Sequence, residues 1–368
     1  MRKYQIAKEN DLFWCKVDTK NGAFGIITKE FENQFGSTNM NLITIDVSKV
    51  STEYLQFLFK IQRFQRYLDS FITGTTNRKY ISMDRLLSEV YLPLPKIDLQ
   101  ENLVQAYQSK IIQAETNRQE AKTLEAKIEN YLMNELGIEI VEKKKQENGY
   151  KFLQFVDFKD LSRWGIQRQL FESKYNLTTI ENNYTYLGRG KSPKYNDKSD
   201  KFILNQKCVR WFQIDNQFAK KVDSGWLQSI SKTGFTKEND ILINSTGEGT
   251  IGRSAIIDAK NANLLTDSHI LLLRLDSKLI NPFFYIYWFN SKENQFQLDQ
   301  IKSAQTTKQT ELGTENLKNM LLPLPPLEIQ NKIVTQIDIW KSEIKRLKQE
   351  ADELEQLAKK EFEEAIFN

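Results

Sequence analysis

Residues 321–368 read LLPLPPLEIQNKIVTQIDIWKSEIKRLKQEADELEQLAKKEFEEAIFN, and the fold turns on how this stretch is read. Pro323, Pro325 and Pro326 close off whatever precedes them, because proline fixes φ and has no amide proton to donate. Beyond them Ile333, Ile337, Trp340, Ile344, Leu347, Ala351, Leu354 and Ala358 recur at alternating steps of four and three. That spacing is the seam of a coiled coil, narrower than the apolar stripe of a globular helix. No glycine or proline interrupts Glu328 to Asn368, which predicts a single helix of roughly 60 Å at about 1.5 Å per residue. So narrow a seam requires a second helix.

The chain supplies one. Residues 92–104, LPLPKIDLQENLV, repeat in residues 322–334, LPLPPLEIQNKIV, at an offset of 230. The first copy continues through Leu103, Tyr107, Ile111, Ala114, Ala121, Leu124, Ile128 and Leu132 and stops near Gly137, a helix-ending residue. Asn117, the repeat equivalent of Leu347, is a polar seam residue of the kind that fixes pairing register. The repeat extends upstream. Residues 8–27 (KENDLFWCKVDTKNGAFGII) match residues 237–257 (KENDILINSTGEGTIGRSAII), both in hairpin grammar. A second β-like run follows in each copy (41–46 and 270–276), then a helical pattern, STEYLQFLFKIQRFQRYL or NPFFYIYWFNSKENQFQL. Each copy then carries a threonine-bearing polar loop, 74–79 and 305–309. A repeat of this length outranks any single motif.

Residues 150–235 have no counterpart in the first copy. The expected division is an incomplete first domain at 1–96, a helix at 97–137 and a charged linker at 138–149. A full second domain then covers 150–326 and a second helix 327–368. The fold class expected is α+β, with the two helices packed antiparallel. Core-facing Leu12, Phe13, Trp14, Phe24, Ile26, Ile27, Ile43 and Ile45 would lack a covering segment, so the first domain should be partly open, least protected over residues 1–37.

Composition narrows the function classes. Of 368 residues 40% are apolar and 11% aromatic, enough for real cores. Two cysteines in no pairing pattern, and no apolar leader after Met1, give a cytoplasmic expectation. The longest apolar run, Pro282–Phe289, is far below the roughly 20 residues of a membrane span. The net charge of +4 is unevenly placed: residues 186–221 hold nine basic and three acidic side chains. A basic excess confined to one globular segment points to a polyanion, although a solvated basic loop shows the same composition.

Catalytic constellations are not legible. A lone His269 and two distant cysteines, Cys15 and Cys208, assemble neither a usual zinc site nor a histidine-based triad. His269 reads as a strand residue, core-near or facing a nucleic acid. Gly188-Arg-Gly-Lys-Ser192 imitates a phosphate loop, but Thr185 stands where its first glycine belongs, so a turn presenting Arg189, Lys191 and Lys194 is the better reading. Asn281-Pro-Phe-Phe284 resembles the loop of amino-methyltransferases but lacks the second proline. An N-cap followed by Pro282 accounts for it. Residues 244–250 (NSTGEGT) and 305–309 (QTTKQ) pair short donors and acceptors with backbone freedom, suited to base edges and phosphates.

With these motifs the chain resembles specificity subunits of type I restriction-modification systems. The residues carrying the resemblance are LGRGKSPKY (187–195), NDILINSTGEGTIG (239–252) and the two Leu-Pro-Leu-Pro leads with their helices. It implies two target-recognition domains, here with the first truncated, held apart by antiparallel helices. It also implies double-stranded DNA as ligand, methyltransferase subunits as direct partners and a restriction subunit reached through them. No cofactor, metal or catalytic residue and no membrane contact is expected. The DNA-contacting residues expected are Arg189, Lys191, Lys194, Tyr195, Asn244, Ser245, Thr246, Arg253, Thr306, Thr307 and Lys308, with Thr75, Thr76, Asn77, Arg78 and Lys79 in the first copy. Two other readings stand beside this one: a coiled-coil scaffold that never meets DNA, and a stand-alone methyltransferase or nuclease. A steep fall of affinity with salt separates DNA binding from the scaffold.

Overall fold

The structure, a computed structural model, describes residues 5–15, 24–37, 40–72, 81–140, 171–247, 249–303 and 311–367. The fold is α+β, and the chain divides into two compact units: Met1–Thr123 with Glu343–Asn368, and Leu124–Ser342.

In the first unit β1 (Gln5–Ile6) pairs with β4 (Phe35–Gly36), while β2 (Leu12–Cys15), β3 (Phe24–Ile26) and β5 (Met40–Ile43) form an antiparallel sheet of order β3-β2-β5. The helical stretch 51–68 is two helices, α1 (Thr52–Leu58) and α2 (Gln62–Asp69), because the chain leaves helical geometry at Ile61. Ser51 caps α1 by accepting from Tyr54 N. After α3 (Met83–Glu89) comes α4 (Ile97–Leu136). Trp14, Tyr54, Leu55, Leu58 and Phe64 form the core of this unit, and Phe362 from the last helix is buried among them.

The second unit contains β6 (Glu139–Ile140), β7 (Phe171–Glu172), β8 (Leu177–Thr178), β9 (Tyr184–Arg189), β10 (Phe202–Leu204), β11 (Val209–Arg210), β12 (Gln213–Ile214) and β13 (Lys220–Lys221). There follow α5 (Ser224–Gln228), β14 (Ile241–Asn244), β15 (Ser254–Ile256), β16 (Leu265–Thr266), β17 (Ile270–Leu275), α6 (Pro282–Phe289), α7 (Lys292–Ser303), α8 (Thr314–Lys318), β18 (Leu322–Pro323) and α9 (Leu327–Phe367), which passes into the first unit at Glu343. The main sheet is antiparallel, β15-β14-β17-β9, and a smaller one, β13-β10-β16, pairs β10 parallel to β16. Asn281 caps α6 through Phe283 N and Phe284 N with Pro282 in the first turn, which confirms the capping reading of that motif.

Each unit shows the long helices in contact. In the first, partner numbers fall as α4 numbers rise: Lys110 bonds Glu361 at 2.7 Å, and Arg118 bonds Glu355 and, at 2.9 Å, Asp352. That is antiparallel packing. Ala114, Ala121, Ala351 and Ala358 are buried there, and small side chains let the backbones approach. Asn117 reaches Glu350 at 3.4 Å, a polar contact beside the seam. In the second unit Tyr131 packs edge-on against Trp340 at 5.1 Å between centroids, with Lys127 over the same indole at 4.6 Å. Gly137, at φ +57°, ends α4 as the reading required: Ile138 N donates to Met133 O and Gly137 N to Asn134 O, a Schellman closure.

The repeat holds at atomic level. Asn10 and Asn239 share positive φ, 67° and 69°, as do Asn33 and Asn263, 64° and 63°. Asparagine tolerates this conformation better than most residues. Asn10 N donates to Ile27 O and Asn239 N to Ile257 O, each at 2.9 Å.

Candidate nucleic-acid interface

The candidate surface grows from the end of β9. Arg189 closes the strand opposite Leu271, and Gly190 follows. A Cβ at Gly190 would lie 2.1 Å from Asp267 O and 2.2 Å from Thr266 O, so only glycine fits. The approach lets Gly190 N donate to Ile270 O and Lys191 N to Thr266 O. The Gly-Arg-Gly-Lys sequence is therefore an extended, closely packed strand end rather than the expected turn. Its cations sit on the rim: Lys191 and Lys194 are exposed and Arg189 is ion-paired with Glu311.

Past Lys194 the chain is tied to the β13 edge. Asp223 N donates to Lys194 O at 2.8 Å, Tyr195 bridges Val222 and Asn196 N donates to Lys221 O. Tyr195 is about half exposed, and Lys220 Nζ stands 4.8 Å from its ring centre. Partial burial and the nearby Asp267 carboxylate push the Tyr195 phenol above its ordinary range. Burial also raises the Asp267 carboxyl, against the lowering effect of hydrogen bonds from His269 and Gln206 amides and of the Lys220 charge.

The loop after β14 completes the surface. Asn244 and Ser245 are fully buried, and their bonds tie the loop to its neighbours. Asn244 Nδ2 donates to Gln206 O at 3.0 Å, Ser245 N to His269 O and Leu312 N to Ser245 O. Thr246 bridges Glu311, and its hydroxyl lies 2.8 Å from His269 Nδ1. Gly247, at φ +94°, supplies the turn. Arg253 is half-buried, and its Nε is enclosed without a hydrogen-bond partner.

Arg189, Lys191 and Thr246 are therefore brought together through Glu311, Asp267 and His269, with Lys194 and Tyr195 alongside. Thr306, Thr307, Lys308, Thr75, Thr76, Asn77, Arg78 and Lys79 lie outside the described residues. The expected contacts did not include Lys220, although it belongs to the basic segment; His269, read as a strand residue near the core or facing a nucleic acid, is exposed and precedes β17 instead of lying in it. The Asp-Ser-His triplet before a buried strand was the available signal. Among the described residues no group of three or more His, Cys, Asp or Glu side chains is arranged to hold a metal ion. No helix among them is long and apolar enough to cross a membrane.

Known proteins resemble the chain across this region. Residues 227–356 match the family described as type I restriction modification DNA specificity domain. The chain is 23% identical over 268 residues to the EcoBI specificity subunit of Escherichia coli, covering 72% of this chain and 54% of that one. A putative type I restriction enzyme specificity subunit of Haemophilus influenzae is 32% identical over 108 residues, 29% of this chain and 25% of its own. The chain thus spans about half the length of the first relative, and less of the second. Among solved structures, an HsdS subunit from Thermoanaerobacter tengcongensis superposes with TM-score 0.52 at 15% identity, over 98% of this chain and 81% of that one. A chain from a structure of type I R-M complex assembly and conformational transition gives 0.62 at 15% identity, over 100% and 84%. At such identity these two speak for the fold.

Proposed function

We propose that this chain, whose residues 227–356 match the family described as type I restriction modification DNA specificity domain, is the DNA-recognition subunit of a type I restriction-modification complex. On this reading it contributes no catalytic residue. It reads DNA and brings methyltransferase subunits, and through them a restriction subunit, to a two-part site. The observation that carries the reading is the rim of the second unit. There Lys191, Lys194 and Lys220 stand exposed or beside an exposed tyrosine, around a loop whose backbone is locked from beneath. Exposed cations neutralise phosphates, and a rigid loop can present side chains to base edges. The first unit repeats the same framework, so a second reading surface there is part of the proposal, and the paired helices would serve as the spacer between half-sites.

Titration of the purified chain with duplex DNA across a salt series tests this. Phosphate contacts require the logarithm of affinity to fall linearly with the logarithm of salt, with a slope of about −0.9 per phosphate neutralised. A scaffold that never meets DNA would give no saturable binding at low salt.

A further inference from the structure

We propose that His269 is a base-edge reader in this interface and supplies the hydrogen-bond acceptor that the surrounding cations lack. The inference rests on the DNA-recognition reading above and assigns a specific task to one residue. His269 is the single histidine of the chain. It is exposed, yet its position is determined from three sides. Its amide donates to Asp267 Oδ1 at 2.9 Å, its carbonyl accepts from Ser245 N at 2.9 Å, and its Nδ1 lies 2.8 Å from Thr246 Oγ1. A surface side chain held this way loses little further freedom when it meets a ligand.

The tautomer this assignment uses is the one with the proton on Nδ1, and the neighbouring amide is compatible with it. Thr246 Oγ1 also lies 3.5 Å from Gln206 Oε1, where it is placed as the donor. A hydroxyl has one proton. Given to Gln206, that proton leaves Oγ1 to accept from Nδ1–H, and the other ring nitrogen, Nε2, carries the lone pair. No described residue donates to Nε2. The cations of the rim, Lys191, Lys194 and Arg189, are donors only. In the major groove adenine and cytosine present exocyclic amino groups, N6 and N4, which need an acceptor. Among the rim residues named, His269 Nε2 is placed to accept from such an amino group.

The test is selection of bound sequences from a randomised duplex pool at fixed salt, using the full chain, H269A and T246V, with thermal melts to establish folding. The salt slope reports the phosphate contacts, which neither variant removes, and it separates a base contact from a backbone contact. H269A should lose discrimination at one adenine- or cytosine-bearing position by about 5- to 150-fold, the range of one good base contact. T246V keeps the ring but frees it, and should relax the same position by a smaller factor. An unchanged consensus in folded H269A would overturn the proposal, as would an equal loss at all sequences, the mark of a backbone contact. If the wild-type chain fails to bind DNA at all, the parent reading falls, a result distinct from either.

Discussion

Gln330 reaches back to Asn281: its Oε1 accepts the Asn281 amide at 2.8 Å while its Nε2 donates to Leu279 O and Pro325 O. One buried side chain thus ties the start of α9 to the start of α6. The first unit repeats the device, with Gln100 accepting from Ser51 N and donating to Lys49 O and Pro95 O. Both glutamines are fully buried. Gln330→Ala should therefore destabilise the second unit by roughly 2–4 kcal/mol, because it strands several buried backbone groups. Denaturant unfolding followed by tryptophan fluorescence checks this, and a change within error would mean that water replaces the side chain.

The lead motif made this pair legible as a repeat without revealing its purpose. Pattern gave the helices because a seam of Ile337, Leu347 and Ala351 has one periodic explanation. It gave the N-cap at Asn281 because capping is local. The interface was legible only in part. Lys191 and Lys194 were readable from charge, whereas the burial of Asn244 and Ser245 depends on Gln206 and His269, which are brought beside them by sheet register. The role of Gly190 likewise depends on carbonyls 76 and 77 residues downstream, at Thr266 and Asp267.

Lys191 and Lys194 are exposed and bonded to the fold through their backbones. Replacing both with alanine should leave stability within about 0.5 kcal/mol. It should weaken binding to every sequence and reduce the salt slope by about one unit for each phosphate no longer neutralised. Affinity titrations at three or more salt concentrations read both quantities, and an unchanged slope would remove these lysines from the interface.

Glu293 faces another carboxylate. Its carboxyl is raised above the usual 4.5 first by burial, with the charge of Glu129 adding to the effect. Its Oε2 is enclosed without a partner, while Glu129 Oε1 accepts from Lys292 N at 2.9 Å. A carboxyl that holds its proton more tightly when folded stabilises the fold in acid. That contribution is lost as pH rises through the folded value. Glu293→Gln should therefore melt higher than wild type at pH 7, with the gap closing as pH falls toward 4.5, the ordinary value for the group. A pH-independent difference would assign the effect to packing.

Ala121 lies in the helix pair of the first unit with no exposed surface, like Ala114 and Ala351. Close approach leaves no room for a larger chain, so Ala121→Leu should cost about 1–3 kcal/mol through overpacking. Arg118→Ala, three residues away on the rim of the same pair, removes partly exposed ion pairs to Glu355 and Asp352 and should have a much smaller effect. Comparing the two by calorimetry separates apolar packing from surface charge. An arginine effect equal to that of alanine would contradict the packing account.

Two repeat-matched strands differ in their cover. Leu265 of β16 is buried at 1%, because β10 pairs beside it and Ile203, Val222, Trp226 and Phe235 close over it. Its repeat equivalent in β4 is Phe35, 70% exposed, with Ile6 and Phe31 exposed near it. In the second unit the cover comes from residues 202–235. Amides in strands with few apolar contacts above them open more readily than those beneath a packed layer. Hydrogen exchange of the monomeric chain should therefore be faster over residues 5–15 and 24–37 than over 234–247 and 254–265. The contrast should be sharpest between Phe35–Gly36 and Leu265–Thr266, which occupy matched places in the repeat. Equal protection of the two stretches would show that local hydrogen bonding, common to both copies, sets their stability, and that the layer formed by 202–235 is not needed for it.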